Sequence, residues 1–178
     1  MIINRCGRPL VGWLLNDAYR FFKTRFSAFE PCLDICLVNV GSECGNLNYG
    51  SAINNLGIQI NPQELNERLR EVEGYENGNL IWYKLNETIP SVDYRYSRVF
   101  TVKTIENDLK NGLLPIVNVR YHKYGITHWV LIVGAVDGEF IIYDPANTQL
   151  SYLPLSTHGK VYAYRVIVKS TDKALNPP

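Results

Sequence analysis

Long apolar runs are absent from this chain of 178 residues, and its charge is almost balanced. No run reaches the roughly 18–20 consecutive apolar residues that a membrane-spanning helix needs. The apolar block at 10–15 is shorter than the core of a secretory signal and has no small-residue cleavage site, so we expect a folded segment there. A formal net charge of +1 gives no general electrostatic attraction to nucleic acid or to a membrane surface. We therefore expect neither as a partner.

Cysteine is scarce and unevenly placed, because Cys6, Cys32, Cys36 and Cys44 all fall in the first quarter of the chain. The spacing Cys32-x-x-x-Cys36 is not that of a zinc knuckle, and no second cysteine or histidine pair completes it. Cys32 and Cys36 occupy one face of a strand-like run, which favours two buried small hydrophobes. A disulfide among the four is left open.

The first half of the chain has helical patterning, and its length suits one domain spanning residues 1–178. Apolar spacings of three and four predict a helix over 9–26, followed by a strand over 32–40. Asn61 as N-cap, then Pro62 and Glu64, predicts the start of another helix.

Farther along, residues 80–100 are ambiguous, with two short strands suggested around Leu80–Tyr83 and Arg98–Val102. Thr104 is a candidate N-cap for a short helix over Ile105–Lys110.

Beyond residue 112 the pattern changes to strands. Five runs separated by short turns are predicted: Leu113–Tyr121, Ile126–Ala135, Gly138–Tyr143, Leu150–Leu155 and Lys160–Ser170. Asp137-Gly138 is a strong hairpin signal between the second and third of them. Helices followed by a meandering antiparallel sheet predict an α+β fold.

Three residues form the outline of a cysteine hydrolase. Cys44 stands where a loop turns into a helix, and there the unpaired backbone N–H groups and the helix dipole favour a thiolate. His128 lies in an apolar strand and Asp144 ends another. A nucleophile, a base and an orienting acid in this order match the plan of papain-like enzymes.

Each of these residues also has a plainer interpretation. A lone cysteine is more often structural, a histidine in an apolar strand is usually a core residue, and Asp144-Pro145 alone would be a turn. His122 and His158 are expected to be loop residues. His122 and His128 lack helical metal-ligand spacing and no carboxylate cluster joins them, so we expect no metal.

Several short motifs in order resemble a known family. They are Cys44 with Asn54-Asn55-Leu56-Gly57-Ile58, then Pro62-Gln63-Glu64-Leu65-Asn66, Asn77-Gly78-Asn79-Leu80-Ile81, His128-Trp129-Val130 and Asp144-Pro145. Together they are similar to the bacteriocin-processing-peptidase-like group, family thirty-nine of the cysteine peptidases. The resemblance covers residues 44–146, which would form the peptidase-like core, while residues 1–43 are divergent.

The resemblance implies a papain-like fold, with N-terminal helices packed on an antiparallel sheet. It also implies a cysteine peptidase or amidase that hydrolyses a peptide bond in a peptide or protein substrate, with a Cys44–His128–Asp144 triad and no cofactor. The amides of Cys44 and Gly45 would be the oxyanion donors. A cell-wall amidase of the NlpC/P60 type would use the same kind of cysteine nucleophile on a different substrate, but the motifs argue against it.

Two departures favour an alternative. Val38 stands where such peptidases place an oxyanion glutamine, with Asn39 the nearest side-chain amide, and the charge of Glu43 directly precedes the nucleophile. The alternative is a structural or assembly protein, for example a phage virion component, that reuses the fold with a vestigial site and contacts neighbouring subunits. The expected location is accordingly cytoplasmic or in a virion.

Overall fold

The computed structural model describes residues 43–77, 79–97, 100–121, 126–146 and 152–173. The helices are α1 (Glu43–Asn55), α2 (Pro62–Glu71), α3 (Lys84–Thr88), α4 (Val102–Lys110) and α5 (Ser170–Lys173), with a 3-10 helix at Leu155–His158. The strands are β1 (Tyr75–Glu76), β2 (Asn79–Leu80), β3 (Val92–Ser97), β4 (Pro115–Tyr121), β5 (Ile126–Val136), β6 (Glu139–Tyr143), β7 (Tyr152–Pro154) and β8 (Val161–Lys169).

Six of the strands form one antiparallel sheet in the order β3-β8-β4-β5-β6-β7, and β1 pairs with β2 separately. The hairpin between β5 and β6 turns at Asp137 and Gly138, which both have positive φ (50° and 81°). Two consecutive positive φ angles are the signature of the turn that Asp-Gly favours. The α+β fold with an antiparallel sheet is confirmed.

The sheet separates two apolar cores because alternate residues of a strand face opposite sides. On one side lie the buried residues of α1 and α2, including Ile53 and Leu65, packed against Leu131. On the other side Val130 and Ile132 pack with Ile105 of α4. The helix bearing Cys44 thus packs on one face, and α4 covers the other.

The start of α2 agrees with the sequence. Asn61 accepts a hydrogen bond from the Glu64 N–H at 2.7 Å, and Pro62 takes the first helical position. The cap predicted for α4 is wrong by three residues. Thr101 is in an extended conformation and its hydroxyl accepts from the Thr104 N–H at 3.1 Å, so Thr104 is inside the helix. A cap residue must itself be non-helical, and Thr101 meets that condition.

The region 80–100 differs from its predicted strands. Beyond Leu80 the chain turns into α3, and the long strand of this region is β3, which ends at Ser97 before the predicted run at Arg98–Val102. β3 pairs with β8, a strand about 70 residues away in sequence. Because strand formation here depends on this distant partner, the local pattern of residues 80–100 does not predict it.

The remaining expectations for the N-terminal region lie outside the described residues. They are the helix over 9–26, the strand over 32–40, the pairing of Cys6, Cys32 and Cys36, and the roles of Val38 and Asn39. The single-domain organisation therefore stays a prediction. Within the described ranges, none of the helices combines the length and apolar character that crossing a bilayer requires.

Candidate active site

His128 and Asp144 meet because they lie on neighbouring strands of one hairpin. The register of β5 and β6 sets Leu131 opposite Tyr143. One step further, Asp144 falls opposite Val130, and His128 is its diagonal neighbour on the same face, within reach of a side-chain contact. The Nε2 atom of His128 lies 2.7 Å from Oδ1 of Asp144. The structure thus brings these two predicted residues together.

The Asp144 carboxylate is buried, with 1% of its surface exposed, and is surrounded by donors. Oδ1 also accepts the Ala146 N–H at 2.9 Å, and Oδ2 lies 2.8 Å from Nε2 of His158. Burial by itself would raise the pKa of Asp144, but the hydrogen bonds from His128, His158 and Ala146 outweigh it and hold the pKa well below its usual range. Asp144 is therefore ionised at neutral pH.

The ionised carboxylate determines which ring atom of His128 carries hydrogen. A carboxylate can only accept hydrogen bonds, so Nε2 of His128 must donate. In the neutral ring the basic lone pair is then on Nδ1. The side chain is 15% exposed, which leaves it close to the surface rather than deep in the core.

His158 is a site residue that the sequence did not reveal. It was expected in a loop, but it ends the 3-10 helix, is 6% exposed and contacts Asp144 directly. Its Nδ1 lies 2.9 Å from the Thr157 hydroxyl oxygen. No local pattern marks this residue, because the contact depends on how β7 returns the chain to the end of β6.

Cys44 is the second residue of α1, and its side chain lies outside the described part of the structure. One helical turn later, Asn48 is fully buried and donates from Nδ2 to the Trp129 carbonyl at 2.8 Å. Helix positions four residues apart share a face. The backbone at Cys44 therefore lies one turn from a direct contact with the residue that follows His128.

An aromatic cluster braces the same helix against the sheet. The ring of Tyr49 meets that of Trp82 at 5.1 Å between centroids, and Trp82 meets Trp129 at 5.5 Å. Burial raises the pKa of Tyr49, which stays neutral. These contacts and the Asn48 hydrogen bond together fix the distance between α1 and β5 beside His128.

Among the described residues, no group of three or more histidine, cysteine or acidic side chains is arranged to hold a metal ion. The two histidines here both direct Nε2 at an oxygen of Asp144, at hydrogen-bonding distance. The arrangement is suited to holding and moving protons.

Comparison with known proteins gives a structural likeness alone. No family model matches the sequence, and no curated protein matches it. The crystal structure of a Bacillus anthracis protein described as a C39-like peptidase superposes with a TM-score of 0.53 at 10% identity, covering 75% of this chain and 92% of that one. At this identity the likeness is one of fold, and it agrees with the helices and antiparallel sheet described above. The chain therefore has a C39-like peptidase fold.

Proposed function

We propose that this chain is a cysteine peptidase or amidase with Cys44 as nucleophile, His128 as general base and acid, and Asp144 as the orienting carboxylate. The observation that carries the proposal is the buried contact between Nε2 of His128 and Asp144. It assigns the lone pair of the neutral imidazole to Nδ1 and supports the positive charge that the ring gains when it takes a proton. The proposed substrate is a peptide or protein.

The position of Cys44 in the first turn of α1 supports its activation. The first N–H groups of a helix have no acceptor within the helix, and the positive end of the dipole favours a thiolate. The N–H groups of Cys44 and Gly45 belong to this set. They are the proposed donors for the oxyanion, a role that backbone amides at a helix start can fill.

In the proposed reaction, the Cys44 thiol gives its proton to Nδ1 of His128, and the sulfur attacks the carbonyl carbon of the scissile amide. The carbonyl oxygen becomes an oxyanion. When it collapses, the C–N bond breaks and the leaving amine takes the proton from His128. Water then hydrolyses the thioester, with His128 accepting a water proton and returning it to the sulfur, so that acid product and free thiol are restored.

Alkylation of Cys44 tests the proposal without a known substrate. The rate of iodoacetamide labelling at pH 6 would be followed for each cysteine by peptide mass spectrometry in the intact protein. An ordinary thiol is almost entirely protonated at that pH, so Cys44 should react about 10- to 100-fold faster than a model thiol and lose this advantage in His128→Ala. Cys6, Cys32 and Cys36 serve as internal references.

If Cys44 reacts like a model thiol and His128→Ala changes nothing, the peptidase proposal is wrong. Activity itself would be sought by incubating a proteome-derived peptide library with the protein and with Cys44→Ala. New cleavages or deamidations that appear only with the unmodified protein support the proposal.

The alternative, an assembly protein with a vestigial site, depends on Val38 and on the charge of Glu43. It predicts an ordinary Cys44 together with stable association. If light scattering shows that the pure protein is a monomer, the assembly alternative is wrong.

A further inference from the structure

The hydrogens in two of the contacts of His158 can be assigned by counting donors and acceptors. Its Nε2 lies 2.8 Å from Oδ2 of Asp144, and its Nδ1 lies 2.9 Å from the hydroxyl oxygen of Thr157. That hydroxyl also donates to the carbonyl oxygen of Pro154 at 2.7 Å. The question is which ring nitrogens of His158 carry hydrogen.

A hydroxyl has one hydrogen. Since the Thr157 hydrogen is directed at the Pro154 carbonyl, which can only accept, the hydroxyl oxygen must accept from Nδ1 of His158. Since Asp144 is ionised, Nε2 of His158 must also donate. All three contacts are satisfied together only when both ring nitrogens carry hydrogen, which is the imidazolium form.

We propose that His158 is a buried imidazolium that positions Asp144 from the side opposite His128. Each carboxylate oxygen then receives a hydrogen bond from a different histidine, Oδ1 from His128 and Oδ2 from His158, so the carboxylate cannot rotate without breaking one of them. Charge-assisted hydrogen bonds of this kind are stronger than neutral ones. His158 is a positioning residue: it acts through Asp144 and touches no substrate.

The charges around this turn are compatible with a buried cation. Asp144 supplies the counter-charge from the end of β6, and Glu139 of the same strand accepts the Ser156 N–H at 3.1 Å. His128 of β5 faces His158 with ring centroids 6.4 Å apart. Arg120, the charged residue of β4, is exposed.

The consequence for His128 rests on the proposed function, whereas the charge of His158 does not. By holding Oδ2, His158 keeps Oδ1 directed at Nε2 of His128. That contact holds hydrogen on Nε2 and leaves the basic lone pair on Nδ1, the atom that would accept the thiol proton. Loss of His158 should therefore change the tautomer of His128 in a protein that still folds.

Nitrogen-detected NMR of the ¹⁵N-labelled protein tests the charge. The chain has three histidines, and His158→Gln identifies the His158 signals by their loss. At pH 7 both His158 ring nitrogens should carry hydrogen. In Thr157→Val, a change at an exposed residue, His158 should lose its proton at a pH lower by about half to one unit, because the imidazolium loses an acceptor.

The opposite sign would overturn the inference. If His158 is neutral and Nδ1 accepts from Thr157, the same variant removes a donor to the neutral ring, and the proton is lost at higher pH. A neutral His158 at pH 7 in the unmodified protein is an equally clear contradiction.

The positioning role is read from His128 in two variants. His158→Gln keeps an N–H that can reach Oδ2, so His128 should stay in the Nε2–H tautomer and Cys44 labelling at pH 6 should change less than about 3-fold. His158→Ala leaves Oδ2 without this donor, so both tautomers should appear and labelling should fall about 10-fold. A tautomer unchanged in His158→Ala contradicts the positioning role.

The two proposals fail in different ways. A charged His158 beside an unreactive Cys44 would contradict the peptidase function and leave the imidazolium in place. A reactive Cys44 beside a neutral His158 would do the reverse.

Discussion

The side-chain amide nitrogen of Asn48 lies 2.8 Å from the main-chain carbonyl oxygen of Trp129. The contact joins residues 81 positions apart, and it ties the helix of Cys44 to the strand of His128. The second polar atom of the same side chain, Oδ1, is buried and has no hydrogen-bond partner among the residues that the structure describes. A buried polar group left in this state costs free energy, so an apolar residue would serve packing alone better. The hydrogen bond from Asn48 to Trp129, which holds α1 against the sheet, thus explains why an asparagine occupies this position.

The Asn48 contact can be tested by removing it. Asn48→Ala should lower the free energy of unfolding by about 1–3 kcal/mol, because a buried hydrogen bond and some packing are lost. The matched control is Asn55→Ala, which breaks a hydrogen bond to the Gly112 carbonyl at the other end of the same helix. Both variants should lose stability in urea titrations, but only Asn48→Ala should slow Cys44 labelling at pH 6, by about 10-fold. Equal labelling rates in the two variants would show that the contact has no bearing on the site.

Proximity of Cys44 and His128 can be tested by cross-linking. The reagent 1,3-dibromoacetone alkylates a thiol and then a nucleophile beside it. We expect a single covalent bridge between Cys44 and His128, found by peptide mass spectrometry. The bridge should disappear in His128→Gln and persist in His158→Gln, since only His128 is proposed to face the thiol. A bridge from Cys44 to another residue, or none after complete alkylation, contradicts the proposed triad.

Asp144 should make stability depend on pH in the acid range. Its pKa is lowered in the folded protein, so its contribution is fully present above the unfolded value of about 3.9 and is lost as the pH falls toward the folded value. The free energy of unfolding should therefore decline more steeply between about pH 5 and 2 in the unmodified protein than in Asp144→Asn. Asp137→Asn, at an exposed turn position that suits asparagine, should keep the steep decline. Parallel curves for all three proteins would be inconsistent with the assignment.

The helix cap at Thr101 gives a test of the fold alone. Thr101→Ala removes the acceptor for the Thr104 N–H and should cost about 1 kcal/mol of stability. Thr104→Ala removes a side chain inside the helix and should cost less, because the cap hydrogen bond is a backbone donation from residue 104. Thermal unfolding of the two variants compares their losses of stability directly. A larger loss in Thr104→Ala than in Thr101→Ala would indicate that Thr104 is the cap.

Local sequence predicted much of the part of the site that belongs to one hairpin. The Asp-Gly turn indicates that His128 and Asp144 lie on the two strands of one hairpin. The register shift between Ile132 and Gly134, which sets Asp144 on the same face as His128, has no such local signal. Helix α2 was equally predictable, because its cap, its proline and its apolar spacing lie within a few residues of one another. The prediction of His158 as a loop residue is wrong, because nothing within its own short segment indicates the contact with Asp144.

Local sequence signals are enough to predict the α+β order, the hairpin that carries His128 and Asp144, and the helix that carries Cys44, because periodicity, caps and turn residues act over a few neighbouring positions. The contacts of Asn48 with Trp129 and of His158 with Asp144 could not be predicted in this way and are known from the folded structure. Those contacts depend on how separate elements pack. Packing is the sum of many weak apolar contacts across the sheet, and no single local motif encodes it.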